Sequence, residues 1–338
     1  MAMAQMRKQP IQTRTQRTQR SHRPGRLAMI GLTTMFAALL LATGCSGVAT
    51  EPPQAVTNAT DVRPMFGAFT YGGVWQGMQP VHQLEDLLGR KLDVVQWFMS
   101  WDTPYDVALV ESAMAGGRLP MITWQPYHQP VSAIAAGTYD ALMRSFARGV
   151  RATPGLVYVR PFPEMNGDWE PWNGQPTEFV KAWRRMVAIF RAEGADNVRW
   201  VWSPNITDQP RTPANAMEKY YPGSAYVDVL GLDGYNWGTS QSWSQWRSFD
   251  EIFAEPYARI TALGPQPVWV AEVASTNKGG DKAAWVANML DSTKFPRIRA
   301  LIWFNENSDL DWRLDNSLAV IQAARASLAP SLQTTASR

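Results

Sequence analysis

Leu156–Phe162 (LVYVRPF), Pro176–Glu193 (PTEFVKAWRRMVAIFRAE) and Val198–Trp202 (VRWVW) follow one another along the chain. The first and third are short runs rich in β-branched and aromatic residues and read as strands. The middle stretch places Phe179, Trp183, Met186, Val187 and Phe190 three or four residues apart, the stripe of a helix with one apolar face. Strand, helix, strand in that order argues for a parallel sheet covered by helices.

The same rhythm extends in both directions. Met65–Thr70, Asp93–Met99 and Pro120–Trp124 precede the central unit as strands, and Val227–Leu232, Pro267–Ala271 and Arg299–Phe304 follow it. A second helical spacing, Asp281–Leu290, carries Trp285 and Met289 on one face. Eight strand candidates within residues 62–330 match the roughly 250 residues of an eight-fold barrel. The expected fold is therefore α/β, a single-domain (β/α)8 TIM barrel. No glycine-rich phosphate loop follows the first strand, which removes support for a dinucleotide-binding open sheet.

Composition narrows the functional classes. The 338 residues are 45% hydrophobic and 18% charged, with a single Cys, which excludes a disordered polymer, a disulfide scaffold and a protein of many membrane spans. Seven of the 32 basic residues lie in residues 1–44, which contain no acid, so the remaining 25 are outnumbered by the 29 acidic residues. The body thus lacks the excess of Lys and Arg that gripping a nucleic-acid backbone requires.

The basic residues of 1–44 precede an uncharged run, Leu27 to Gly44, and small residues lead into Cys45. This reads as a signal peptide of the lipoprotein type, with Cys45 as the lipidation site. Residues 45–61 read as a flexible linker and 331–338 as a tail. The expected protein is exported, either held at the cell envelope by a lipid anchor at Cys45 or secreted, and monomeric.

In a barrel of this type the reacting groups stand at the C-terminal ends of strands. Glu164 follows the fourth run and Glu272 the seventh, each ending an apolar segment where an unpaired carboxylate is costly. Two carboxyls across one mouth suit cleavage of a glycosidic bond, one protonating the leaving oxygen and the other attacking the sugar or activating water. Arg160 lies four residues before Glu164, and strand alternation puts both side chains on one face. This makes it a substrate-site candidate whose cation orients or ionises a carboxylate, with a structural ion pair in the barrel core as the alternative.

Trp101, Trp124, Trp169, Trp172, Trp202, Trp237 and Trp303 fall at or just after strand ends, where flat apolar faces can stack on sugar rings. Trp183, Trp200, Trp269 and Trp285 sit within strands or helical stripes and read as packing. Asn205, Asn236 and His128 follow strands five, six and three and are further substrate-contact positions. Asp309-Leu310-Asp311 superficially suggests a calcium loop, but the glycine and glutamate that such a loop requires are missing. No metal and no cofactor are expected. Metallohydrolase and serine-esterase motifs are likewise lacking.

Four blocks together resemble glycoside hydrolase family 26. They are Arg-Pro-Phe-x-Glu-Met-Asn-Gly-Asp-Trp-x-x-Trp (Arg160 to Trp172), Trp202-Ser203-Pro204-Asn205, Tyr221-Pro222-Gly223 with Val227 to Trp237, and Trp303-Phe304-Asn305. The resemblance implies a retaining enzyme with Glu164 as acid/base, Glu272 as nucleophile, Tyr235 as hydrogen-bond donor to Glu272, and Trp303 as the floor of the cleavage subsite. It also raises the standing of Trp172 as a sugar contact. It implies a β-linked polysaccharide substrate, β-1,4-mannan first, with mixed-linkage β-glucan, β-1,3-xylan or an exopolysaccharide as alternatives. One departure stands out: the family usually has His before the acid/base Glu, and this chain has Pro163, which has neither a side-chain donor nor a backbone N–H. A non-catalytic carbohydrate-binding lipoprotein on the same scaffold is the reading of a different class.

Overall fold

The structure is a computed structural model and describes residues 63–329. The expected signal peptide, Cys45, the linker and the tail lie outside the described residues.

The eight strands are β1 (Met65–Thr70), β2 (Val94–Ser100), β3 (Leu119–Gln125), β4 (Val157–Pro161), β5 (Val198–Trp202), β6 (Val229–Asn236), β7 (Val268–Ser275) and β8 (Ile298–Asn305). They are parallel, pair in sequence order, and close into a barrel where β8 meets β1 along Met65–Thr70. Helices α1 (Gln79–Leu88), α2 (Val107–Met114), α3 (Val131–Ala136), α4 (Asp140–Ala152), α5 (Pro176–Ala192), α6 (Phe249–Thr261), α7 (Lys282–Asp291) and α8 (Leu318–Leu328) accompany them. Between β5 and β6 the connection is a series of 3₁₀ turns rather than an α-helix. The fold is a (β/α)8 TIM barrel.

Two cores follow from strand alternation. Val94, Met121, Val201, Val229, Trp269 and Ile302 form one cluster, joined by Tyr158, which stacks on Trp269 at 4.4 Å. A larger cluster lies between strands and helices and takes the α5 stripe Phe179, Trp183, Met186, Val187 and Phe190.

Two strands run further than their apolar residues suggest. β6 was expected to end at Leu232 and β7 at Ala271, yet both continue for four residues, so that Asp233, Tyr235 and Glu272 stand inside the ladder. Hydrophobic patterning stops at the first acid, whereas the backbone pairing does not. A register shift lies at the same level: Leu232 pairs with Val270, but Asp233 pairs with Glu272. The extra residue, Ala271, makes a bulge. Trp269 and Ala271 share the smaller cluster, so simple alternation would turn Glu272 the other way, and the bulge brings it back toward β6.

Near the start of β3, Arg118 is buried against Glu85 of α1. Its Nε and Nη2 donate to the carboxylate at 2.7 and 2.5 Å, and Leu92 N donates at 2.8 Å. Burial alone would raise the Glu85 pKa, but the Arg118 and Leu92 hydrogen bonds outweigh it and hold the carboxyl below its ordinary 4.5. The pair therefore contributes stability above the unfolded-state value, and loses it as pH falls through the lowered folded-state value. Arg118→Met strands a buried carboxylate and is expected to lower unfolding free energy in urea by about 3–5 kcal/mol at neutral pH. The deficit should shrink in acid; an equal deficit at pH 3 and pH 7 would contradict the ion-pair account.

Candidate active site

At the C-terminal end of the barrel, β4 stops at Pro161 and the chain makes a tight turn through Phe162, Pro163 and Glu164. Phe162 and Glu164 both have left-handed backbones, with φ of 49° and 56°. Such a conformation costs a non-glycine residue on the order of 1–3 kcal/mol and persists only where its surroundings impose it. Here they do. Glu164 N donates to Ser203 O at 2.8 Å, Asn173 Nδ2 donates to Glu164 O at 2.8 Å, and Trp172 Nε1 donates to Pro163 O at 2.8 Å. The expected alternation from Arg160 to Glu164 therefore does not apply, because the strand ends between them.

The turn presents the Glu164 carboxylate to two neutral donors. Trp169 Nε1 reaches Oε2 at 2.8 Å and Asn205 Nδ2 reaches Oε1 at 2.9 Å. The Trp169 ring lies over Gly167, where an added Cβ would come within 2.6 Å of the indole. Asn205 is fixed in turn by Asn166, whose amide accepts from Asn205 N and donates to Asn205 O. Asn166 falls within the quoted motif but was assigned no role from sequence. Its residue type gives no sign that it clamps another strand's loop.

Glu272 has different company. It is 0% exposed, and Arg160 Nη2 donates to its Oε2 at 2.6 Å while Tyr235 Oη donates to its Oε1 at 2.5 Å. The same Arg160 Nη2 reaches Asp233 Oδ2 at 2.6 Å, and Ser203 Oγ donates to Asp233 Oδ1 at 2.8 Å. Asp233 thus joins Glu272 on one guanidinium, and Ser203 links this cluster to the Glu164 backbone. Neither Asp233 nor Ser203 was singled out from sequence. Their partners come from distant strands, and only the alternation Gly231, Asp233, Tyr235 along β6 could have signalled a shared face.

One cation faces two buried carboxylates. Burial is the main force pushing the Asp233 pKa well above the ordinary range; Arg160 opposes it, and the Glu272 and Glu164 charges add to it. For Arg160, burial works toward a lower pKa, but Asp233 and Glu272 outweigh it and raise the value further. Asp233 and Glu272 thus share a single guanidinium.

Above these groups opens a cavity of about 1090 Å³, lined by Glu164, Trp169, Asn205, Tyr235, Asn236 and Trp237 among others. It reaches Glu164 directly and Glu272 by way of Tyr235. Of the strand-end tryptophans, only Trp169 and Trp237 line it.

The others are turned into packing, which corrects the sequence expectation. Trp101, Trp124 and Trp202 are core residues; Trp101 and Trp124 stack at 4.3 Å. Trp172 is also buried and braces the Pro163 carbonyl. Trp303 is 0% exposed; it packs on Trp285 of α7, and its Nε1 donates to Trp312 O at 3.0 Å. It faces the helix layer, and its neighbour Phe304 takes the opposite side, beside Tyr235 at 5.9 Å. His128 has a side chain 78% exposed, lies 3.8 Å from Asp102 and is not among the cavity residues. Asn236 lines the cavity, but its Oδ1 also accepts from Gly238 N and Arg247 N, so it closes the loop that follows β6. Among the described residues no group of three or more metal-ligating side chains occurs.

Residues 147–295 match the family model described as glycosyl hydrolase family 26. Over 273 residues, 76% of its length, the chain is 36% identical to Endoglucanase H of Acetivibrio thermocellus. The chain is similar to glycosyl hydrolase family 26. A second relative, a mannan endo-1,4-beta-mannosidase of Bacillus subtilis, is 25% identical over 53% of this chain. The chain spans 30% of the first protein and 52% of the second. Among solved structures, the catalytic domain of a Bacillus sp. JAMB-750 endo-beta-1,4-mannanase superposes with a TM-score of 0.62 at 17% identity, covering 80% of this chain and 86% of that one. That likeness bears on the fold.

The raised Asp233 pKa has a measurable sign. The native state keeps a proton here that the unfolded chain releases near 3.8, so the residue's contribution to stability declines as pH rises from there toward the native value. Asp233→Asn mimics the protonated form and lacks this slope. Denaturant midpoints measured from pH 4 to 8 should fall for the parent relative to the variant, and parallel curves would refute the assignment.

Proposed function

We propose that this protein is a retaining endo-glycosidase acting on a β-linked hexose polysaccharide, β-1,4-mannan first. The observation that carries the reading is the contrast between the two carboxylates. Glu272 sits against a full cation and a phenol donor, which favour negative charge on its oxygens. Glu164 meets only neutral N–H donors and opens onto the cavity. Carboxyls in such unlike surroundings divide into nucleophile and acid.

In this mechanism a Glu272 oxygen attacks the anomeric carbon while the bond to the leaving oxygen breaks and Glu164 passes its proton to that oxygen. Trp169 and Asn205 then stabilise the Glu164 carboxylate as it forms. Water next attacks the glycosyl-enzyme, Glu164 takes the water's proton, and Glu272 leaves as carboxylate, so that two inversions retain configuration. Arg160 and Tyr235 hold Glu272 in line and receive its charge back at the end of the cycle. The cavity volume suits several sugar units rather than one small molecule, which supports endo action.

Two observations favour mixed-linkage β-glucan as the second substrate reading. Pro163 replaces the family's usual His beside Glu164, and the relative at 36% identity bears an endoglucanase name. Export with a lipid anchor at Cys45 completes the proposal and rests on the leader sequence.

Paired variants test it, with purified protein incubated on a panel of β-glycans. Glu272→Ala should lower kcat by more than about 10⁴-fold, with azide restoring turnover as a glycosyl azide of inverted configuration. Glu164→Ala should cost about 10²- to 10⁴-fold on polysaccharide and far less on glycosides with activated leaving groups. Full activity in both variants would overturn the assignment. Product analysis on mannan and on mixed-linkage glucan decides between the two substrates.

A further inference from the structure

The loop after β6 carries an aromatic residue that the cleavage chemistry does not use. Trp243 is 70% exposed, whereas indoles are usually well buried. It lines the same cavity as Glu164. Ring contacts link it inward: Trp243 to Trp237 at 5.5 Å, Trp237 to Trp312 at 4.9 Å, and Trp312 to Tyr235 at 5.1 Å, where the phenol meets Glu272. Trp237 also meets Tyr235 directly at 6.4 Å, so Trp243 stands two ring contacts from the phenol that holds Glu272, outside the ring that lines the wall there.

Its exposure does not come from a loose loop. Asn236 Oδ1 accepts from Gly238 N and Arg247 N, which closes the loop at both ends, and Ser244 Oγ donates to Gly238 O at 2.7 Å. Thr239 N donates to Lys278 O at 3.0 Å, tying the loop to the one after β7. Gly238 permits that contact: its φ is +52°, and an added Cβ would lie 1.8 Å from Lys278 O. Trp285 Nε1 holds Arg247 O from below at 2.8 Å. Gln241, Ser242 and Gln245 beside Trp243 supply polar groups for hydroxyls along the same wall. An anchored loop presenting a bare indole among amides and hydroxyls has the make-up of a sugar-stacking surface.

We infer that Trp243 forms a distal subsite, stacking on a sugar ring of the same β-glycan beyond the one at the cleavage point. The inference rests on the proposed glycosidase reading and deepens it, since a subsite there makes the site selective for long chains.

Removing the platform should then penalise polymer more than short substrates. Trp243→Ala is expected to lower kcat/KM on the cleaved polysaccharide about tenfold, mainly through KM, equivalent to roughly 1.4 kcal/mol. A short aryl glycoside should lose far less, and Trp243→Phe should recover most of the polymer rate. Affinity electrophoresis in gels containing β-1,4-mannan or mixed-linkage β-glucan, with Glu272→Ala in both backgrounds, reads binding without hydrolysis; Trp243→Ala should abolish most of the retardation.

Equal retardation and equal chain-length dependence with and without the indole would overturn the subsite and leave the glycosidase reading intact. Failure of the parent to bind or cleave any β-glycan would overturn both. A dimer in gel filtration that Trp243→Ala converts to monomer would assign the indole to a second copy and overturn the subsite.

Discussion

Arg160 is the constraint on which the rest of the site depends. Its guanidinium is fully buried, and one nitrogen serves carboxylates from two neighbouring strands, Asp233 and Glu272, at 2.6 Å each. A cation in this position must be compensated, since an isolated buried charge costs far more than any single contact returns. Thr123 on β3 holds another of its nitrogens at 3.1 Å, so four strands are tied to one group. Burial, with the Glu272 and Glu164 charges adding to it, raises the Asp233 pKa against the pull of Arg160.

The two key acids reach their places by different departures from regular backbone. Glu272 stays in a strand and is turned by a bulge, which costs a ladder position but keeps the side chain on the rigid barrel. Glu164 leaves its strand and is held in a left-handed turn by the Asn173 donor on its carbonyl, the Trp172 donor on the Pro163 carbonyl, and its own N–H, which donates to the Ser203 carbonyl. The first acid is thereby fixed beneath the cavity wall and the second at its surface. These places match the roles proposed for them, since a nucleophile needs a constant charge environment and a proton donor needs access to the leaving group.

Aromatic residues do most of the remaining work, and their division was hard to read. Position just after a strand marks both a cavity wall and the top of the helix-facing core, because alternation sends neighbours to opposite sides. Trp303 and Phe304 show this directly: the first packs on α7, the second sits beside Tyr235. Trp243 lies well beyond the end of β6, in a polar loop with no periodicity, and so fell outside any strand-end reading.

The alternation of apolar runs determined the barrel, the number of its strands and the helix stripe of α5, because burial on both faces of a parallel strand leaves a pattern in local composition. The same pattern isolated Glu164 and Glu272 as acids that end apolar runs. Tertiary structure decided the rest. The bulge at Ala271, the turn through Phe162 to Glu164, the sharing of Arg160 by Asp233 and Glu272, and the choice of tryptophans that meet the cavity all depend on contacts between residues tens of positions apart. Such contacts are set by register and barrel closure, and a single strand's composition carries no record of which neighbour its side chains will meet.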